Sequence, residues 1–271
     1  MRYICALTIA GSDCSGGAGI QADIKTMSAL GVYTAAAITS ITVQNTKGVK
    51  AVHGVNPLIV ADQIKAVMDD IKPDAVKIGM VNDCATIHAI ADTLKHYSEC
   101  PIVIDPIMVS TSGFNLMKPD ALELFCDSLL PMSTLLTPNL PETEILSNMK
   151  INTIDDMDIA AQKIMSLGCN AVLIKGGHID GGEKVDRLYM ANGCVQTFTH
   201  KTIDTRNTHG TGCTLSSAIT SFIARGLDLV DAITAAKNYL SQALEAGKNI
   251  HIGEGHGPVN YLFNPEKLIT L

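Results

Sequence analysis

The chain has 271 residues, 46% hydrophobic and 17% charged, which is ample for a sizeable core and rules out wholesale disorder. Its 20 basic and 27 acidic residues leave a net charge of −7 with no Lys/Arg cluster, which argues against nucleic acid or an anionic membrane as a partner. No stretch approaches the ~18 uninterrupted apolar residues of a membrane span, and no Pro/Ser-rich linker or charge block divides the sequence, so residues 1–271 are expected to form one domain.

The opening MRYICALTIAGSD holds an apolar run that glycine and a carboxylate end quickly. It is short for a secretory core and lacks a small-residue cleavage site, so residues 3–10 are predicted as a buried first strand. Residues 19–30 carry Ile20, Ile24, Met27 and Leu30 on one helical face, and 35–43 is strand-like. A second helix is predicted over 57–71, where Val60, Ile64, Val67, Met68 and Ile71 recur at spacings of three and four. Short apolar runs at 75–78, 102–104, 134–136 and 171–174 resemble strands buried on both faces, with helical patterns between them at 85–95, 119–129 and 157–167. Residues 184–190 and 194–200 flank Ala191-Asn192-Gly193, a hairpin signal that suggests an antiparallel edge. Two long helical patterns follow, at 211–225 and 229–247. This alternation argues for βαβ units: an α/β fold with a mostly parallel central sheet covered by helices.

Ligands of such sheets bind beyond the carboxyl ends of the strands. Those ends here carry Asp13 with its glycines, Gln44-Asn45, Gly79-Met80, Asp105, Thr137-Pro138-Asn139 and Lys175-Gly176-Gly177. The stretch NTHGTGCTLSSA at 207–218 places glycines directly before a helix, where converging N–H groups and the helix dipole favour an anion. Cys213 falls in the first turn, where the same dipole lowers a thiol's pKa. Two readings stand: an anion hole with a partly ionised thiol beside it, or an ordinary glycine turn with a buried cysteine. Asp105 and Glu142 suit a hydrated Mg²⁺, or are two unrelated solvent-facing acids. Lys175 either meets a polyphosphate or lies on the surface. Gln44 offers one acceptor and two donors, enough to read a ring nitrogen and an exocyclic amine together, or else caps its strand. Asp23 could reach the same small molecule, or face solvent from its helix. The loop AGSDCSGGAG has neither the Walker nor the GxGxxG spacing. His178 and His209 lack a metal-binding spacing and are expected to be satisfied loop histidines. GEGHGP at 253–258 suggests a turn before the tail. The eight cysteines are scattered without a CxxC pair, as reduced thiols of a cytosolic protein would be.

The segments AGSDCSGGAGIQADIKT, TSITVQNTKGV, KIGM, VIDPIM, TPNLPE, LIKGGH and NTHGTGCTLSSAI follow one another between residues 10 and 219. Together they resemble the hydroxymethylpyrimidine/phosphomethylpyrimidine kinases of thiamine biosynthesis, a branch of the ribokinase-like superfamily. The resemblance implies a three-layer α/β/α sandwich, ATP and Mg²⁺ as cofactors, a cytoplasmic homodimer and no nucleic-acid or membrane partner. It implies that Gly210, Thr211, Gly212 and Cys213 form the anion hole and base, the cysteine standing where most of the superfamily has Asp. Gln44, Asp23, Met80 and Ile107 would bind the pyrimidine. Asn139, Lys175 and Thr211 would contact ATP, and Asp105 and Glu142 the metal shell. The implied reaction is phosphorylation of the aminopyrimidine alcohol and then of its monophosphate, with pyridoxal as the alternative substrate.

Overall fold

The protein is described by a computed structural model covering residues 1–109, 113–178 and 183–271, without the side chains of 177, 178, 183 and 184. The expected histidine at 178 therefore lies outside the described side chains. Its strands are β1 (Cys5–Asp13), β2 (Tyr33–Asn45), β3 (Gly48–Gly54), β4 (Ala75–Ile78), β5 (Ile102–Ile104), β6 (Leu135–Leu136), β7 (Ala171–His178), β8 (Glu183–Met190) and β9 (Val195–Lys201). The helices are α1 (Gly19–Ala29), α2 (Pro57–Asp70), α3 (Cys84–Leu94), α4 (Ala121–Ser128), α5 (Leu140–Ser147), α6 (Ile154–Met165), α7 (Thr211–Ala224) and α8 (Leu229–Gly247).

All strands join one nine-stranded sheet in the order β3-β2-β1-β4-β5-β6-β7-β8-β9. From β2 to β7 the neighbours run parallel, so their carboxyl ends share one edge of the sheet. The hairpin over β8 and β9 supplies the expected antiparallel edge, and β3 adds another, unexpected one at the far side. Its sequence GVKAVHG is half-exposed or exposed throughout, so no apolar alternation announces it.

Period-two alternation sorts the strand residues onto two helix layers. Leu7, Ile9, Val76, Ile78, Ile102, Ile104, Leu136 and Val172 pack with α2, α3, α4 and α6. Val103, Leu135, Ala171 and Leu173 face the other way, toward α7 and α8. Leu7, Ile9, Ile78 and Ile104 are wholly buried, each contributing about 2 kcal/mol by the area removed from water. The result is the expected three-layer sandwich.

Helix α7 runs through this interior, and most of its residues are buried, five Ser and Thr among them. Their hydroxyls survive burial by donating within the helix, Thr214 to Gly210 O at 2.8 Å and Thr220 to Ser216 O at 2.8 Å. Ser217 instead donates to Asp23 Oδ1 at 2.7 Å, fastening α7 to α1. Asp23 also accepts from Thr8 Oγ1 at 2.6 Å and pairs with Lys77 Nζ at 2.9 Å, both side chains being fully buried. Asp23 thus belongs to the core and not to a cavity wall. The expectation that it meets a substrate is corrected.

Removing one partner of this pair strands a charge in the core. Lys77→Met is expected to cost about 3–5 kcal/mol of unfolding free energy, and adding Asp23→Asn should recover most of it. Urea titration followed by circular dichroism decides; a double variant no more stable than the single one refutes the pairing as the cause.

Candidate active site

The loop before α7 turns on Gly210, whose φ of 77° is left-handed. A Cβ there would lie 1.8 Å from Gly17 O, so only glycine fits. Gly210 has no side chain with which to cap α7, whereas Asn56, Asp83, Asn139, Thr153 and Asp228 cap other helices. Apart from Thr211 N–H, which donates to Thr208 O at 3.3 Å, the first-turn N–H groups of α7 are thus left to whatever occupies the cavity in front of them.

The opposing loop is organised by one carboxylate. Asp13 Oδ1 accepts from the N–H and hydroxyl of Ser15 at 2.8 and 2.7 Å, and Oδ2 from Ala18 N–H at 2.8 Å. His209 Nε2 stands 2.9 Å from the same Oδ2, so His209 is the satisfied loop histidine expected. Burial alone would raise Asp13, but the His209 and Ser15 hydrogen bonds hold it below the usual carboxylate range. GEGHGP does more than turn the chain: His209 N–H donates to Gly257 O at 3.1 Å, and His256 N–H to Thr46 O at 2.9 Å.

Two cavities meet at this point. One, of about 210 Å³, is lined by Gln44, Met80, Ile107 and Cys213 together with Asp105 and Glu142. The other, of about 340 Å³, reaches past Asp186 and Lys237 to Leu240 and Leu244. Asn139, Lys175, Thr208, Thr211 and Gly212 line both. Every candidate side chain except Asp23 therefore lies on one or both walls.

The charges here are tightly packed. Lys175 Nζ lies 3.0 Å from Asp105 Oδ1, and Thr137 Oγ1 donates to the same oxygen at 3.2 Å. A Cβ on Gly212 would be 3.5 Å from Asp105 Oδ2 and 3.6 Å from Lys175 Nζ, which puts the pair against the anion hole. Burial would raise Asp105, but Lys175 and Lys77 hold it below the ordinary range. Burial would likewise lower Lys175, and Asp105 and Glu142 more than reverse that. No helix is predicted from the sequence between 136 and 157, which misses α5, where Asn139 is the cap. Glu142 N–H donates to Asn139 Oδ1 at 2.9 Å, and Asn139 N–H donates back to Glu142 Oε2 at 2.8 Å. Burial, with Asp105 adding to it against Lys175, pushes Glu142 up to about 7.

Cys213 corrects a second expectation. Its thiol is buried, and burial pushes it up to about 12 although Lys77 pulls the other way. The helix dipole does not win, and the thiol is neutral at physiological pH. Lys77 and Lys237 were missed by sequence reasoning. The signal for Lys77 was available: a lysine inside the otherwise apolar run AVKI.

A profile of the family described as Phosphomethylpyrimidine kinase matches residues 13–260. The chain belongs to this family. It is 48% identical over 258 residues to a hydroxymethylpyrimidine/phosphomethylpyrimidine kinase of Rhizobium meliloti, covering 94% of this chain and 96% of that one. A crystal structure of phosphomethylpyrimidine kinase from Clostridium difficile 630 superposes with a TM-score of 0.79 at 47% identity, over 89% of this chain and 99% of that one. An ADP complex of Bacillus subtilis pyridoxal kinase gives a TM-score of 0.86 at 36% identity, over 96% and 98%. The fold is accordingly ribokinase-like and the protein is a phosphotransferase.

The position of Glu142 has a consequence for stability. Its folded pKa of about 7 exceeds the ordinary 4.5, so the folded chain holds the proton more tightly than the unfolded one. The stability this lends is complete below the ordinary value and disappears as pH rises through the folded one. Glu142→Gln, which still accepts from Asn139 N–H, should match wild type near pH 4 and exceed it by up to about 3 kcal/mol near pH 8. Urea unfolding across that range is the check, and a pH-independent difference rejects it.

Proposed function

We propose that the protein transfers the γ-phosphoryl group of ATP to the primary hydroxyl of 4-amino-5-hydroxymethyl-2-methylpyrimidine, and then phosphorylates the monophosphate to the diphosphate, in thiamine biosynthesis. One observation carries this reading: two cavities of different character share the uncapped N-terminus of α7 and Lys175 as a common wall. The nucleotide takes the cavity of Lys237 and Leu240, with Asn139, Lys175 and Thr211 at its phosphates. The pyrimidine takes the cavity of Gln44, Met80 and Ile107.

Phosphoryl transfer asks for positioning and charge neutralisation more than for covalent chemistry. The turn Gly210–Cys213 faces the transferring group with the N–H groups of Gly210, Gly212 and Cys213, beside the Lys175 ammonium. Asp105 and Glu142 fit a divalent cation, because burial, with the nearby Asp105 charge adding to it, raises Glu142, and a cation would favour its ionised form. Mg²⁺ held there would supply neutralising charge to the phosphates. Cys213 closes the pyrimidine end as a neutral thiol. The alcohol proton leaves late, once bonding to phosphorus has made it acidic, and passes to an oxygen of the transferred phosphoryl group while the Cys213 thiol positions the hydroxyl by hydrogen bonding.

Incubated with Mg-ATP and each alcohol in turn, the protein is expected to yield the pyrimidine diphosphate, and chelation should abolish turnover. In the same assay Cys213→Ala should lower kcat far more than it changes the KM for ATP. Pyridoxal phosphate without the pyrimidine diphosphate overturns the assignment in favour of the vitamin B6 kinases it resembles in fold. We also propose a cytoplasmic homodimer, supported by the free thiols and by Ile41 and Val43 of β2, 52% and 54% exposed beside β3. Sedimentation equilibrium should give twice the chain mass, and a monomer at micromolar concentration would exclude it.

A further inference from the structure

Gln44 sits in a hydrogen-bonded cluster whose proton count allows few arrangements. His209 Nε2 faces Asp13 Oδ2 at 2.9 Å and the end of the Gln44 carboxamide at 3.1 Å. The other end of that carboxamide lies 3.2 Å from Thr42 Oγ1, which itself donates to Ser12 O at 3.0 Å.

Asp13 accepts from several donors and is ionised. An ionised oxygen at 2.9 Å from a bare ring nitrogen would set two lone pairs against each other, so Nε2 must carry the proton. A carboxamide NH₂ against that N–H would then set donor against donor. Thr42 has one hydroxyl proton and two acceptors in reach, Ser12 O at 3.0 Å and the carboxamide at 3.2 Å; given to the nearer Ser12 O, it leaves the carboxamide only lone pairs. A half-turn of the terminal amide exchanges its oxygen and nitrogen within the same outline. With oxygen toward His209 and NH₂ toward Thr42, the one Nε2–H is shared between Asp13 Oδ2 and the carboxamide oxygen, and no donor is set against a donor. This orientation leaves one lone pair and one N–H of Gln44 for the cavity.

We infer that His209 is a positioning residue for substrate selection: Asp13 fixes it as the Nε2–H tautomer, and that N–H fixes which end of the Gln44 carboxamide accepts and which donates. The ligand class favoured is a ring presenting an amine beside a ring nitrogen, over the same ring with oxygen in place of the amine. This rests on the proposed reading that Gln44 faces the pyrimidine. His209 sits one residue before Gly210, so the same imidazole ties ring recognition to the anion hole.

The test compares kcat/KM for the aminopyrimidine alcohol and for its analogue with oxygen replacing the amine. In His209→Leu the Gln44 carboxamide can turn freely, and the preference for the amine should fall about tenfold. His209→Gln, whose Nε2–H still reaches toward Asp13, should restore it. A merely structural loss would reduce both substrates equally and leave the ratio intact, which overturns the inference. Long-range ¹H–¹⁵N correlation spectra of the full-length wild-type protein should show His209 protonated at Nε2. A proton at Nδ1 alone rejects the proposal however the variants fold. Gln44→Ala separates the two levels. An unchanged ratio there defeats the placement of Gln44, whereas a collapsed ratio with an unaffected His209→Leu defeats only the role of His209.

Discussion

The first turn of α7 lacks a capping side chain, and the geometry around it follows from that deficit. Unpartnered N–H groups at a helix end are costly when buried, so they must face a cavity that an anion can enter. The turn is held by contact and not by capping. Gly210 presses against Gly17 O, and Tyr261 donates to that same oxygen at 2.7 Å. Asp13 gathers the 15–18 loop and His209 into one cluster. On the inner side Ser217 fixes the helix against Asp23, itself held by Lys77. A tight interior thus supports an end that is deliberately short of hydrogen bonds.

Charge is distributed in the same spirit. Lys77 and Lys175 face Asp23, Asp105 and Glu142 across the inner end of the site, and each lysine is held charged by its carboxylate neighbours. Lys77 is spent on Asp23, and Lys175 is shared between Asp105 and the anion hole. That leaves too little positive charge for a triphosphate, and the carboxylates left over are hard oxygen donors suited to a divalent cation. The one acid not fully committed, Glu142, is the one whose proton affinity is raised.

The parallel core was legible because its strands are apolar on both faces and its helices keep a clear apolar stripe, as Val60, Ile64 and Met68 show. The edge strand β3 was not, since an exposed strand needs no apolar alternation. Helix α5 was missed because Pro141 in its first turn and Asn139 before it look equally like a loop. Strand ends also blurred: β1 runs on to Asp13 and β7 past Lys175, glycines notwithstanding. For the site, position along the sheet edge was enough to gather Gln44, Met80, Asp105, Glu142 and Lys175, while Ile107 came from the family resemblance alone. Depth was not readable. Asp23 shares a motif with cavity residues yet points into the core; the lysine inside AVKI marks a buried cation, but nothing in the sequence says that its partner is Asp23 of α1.

Depth also explains the cysteine. A side chain at 213 lies near Asp23 and Asp105, and both disfavour negative charge there, while Lys77 is already paired. A carboxylate in that place would add a further acid to a crowded set, directly where a phosphoryl group must arrive. A neutral thiol adds no charge to the approach and still offers the alcohol a polarisable hydrogen-bond partner. Gly19 N–H stands within hydrogen-bonding reach of that sulfur and favours its anionic form. The site therefore trades a strong resting base for a low electrostatic barrier to its anionic ligand, which is the better bargain when the transition state is loose and asks little of a base.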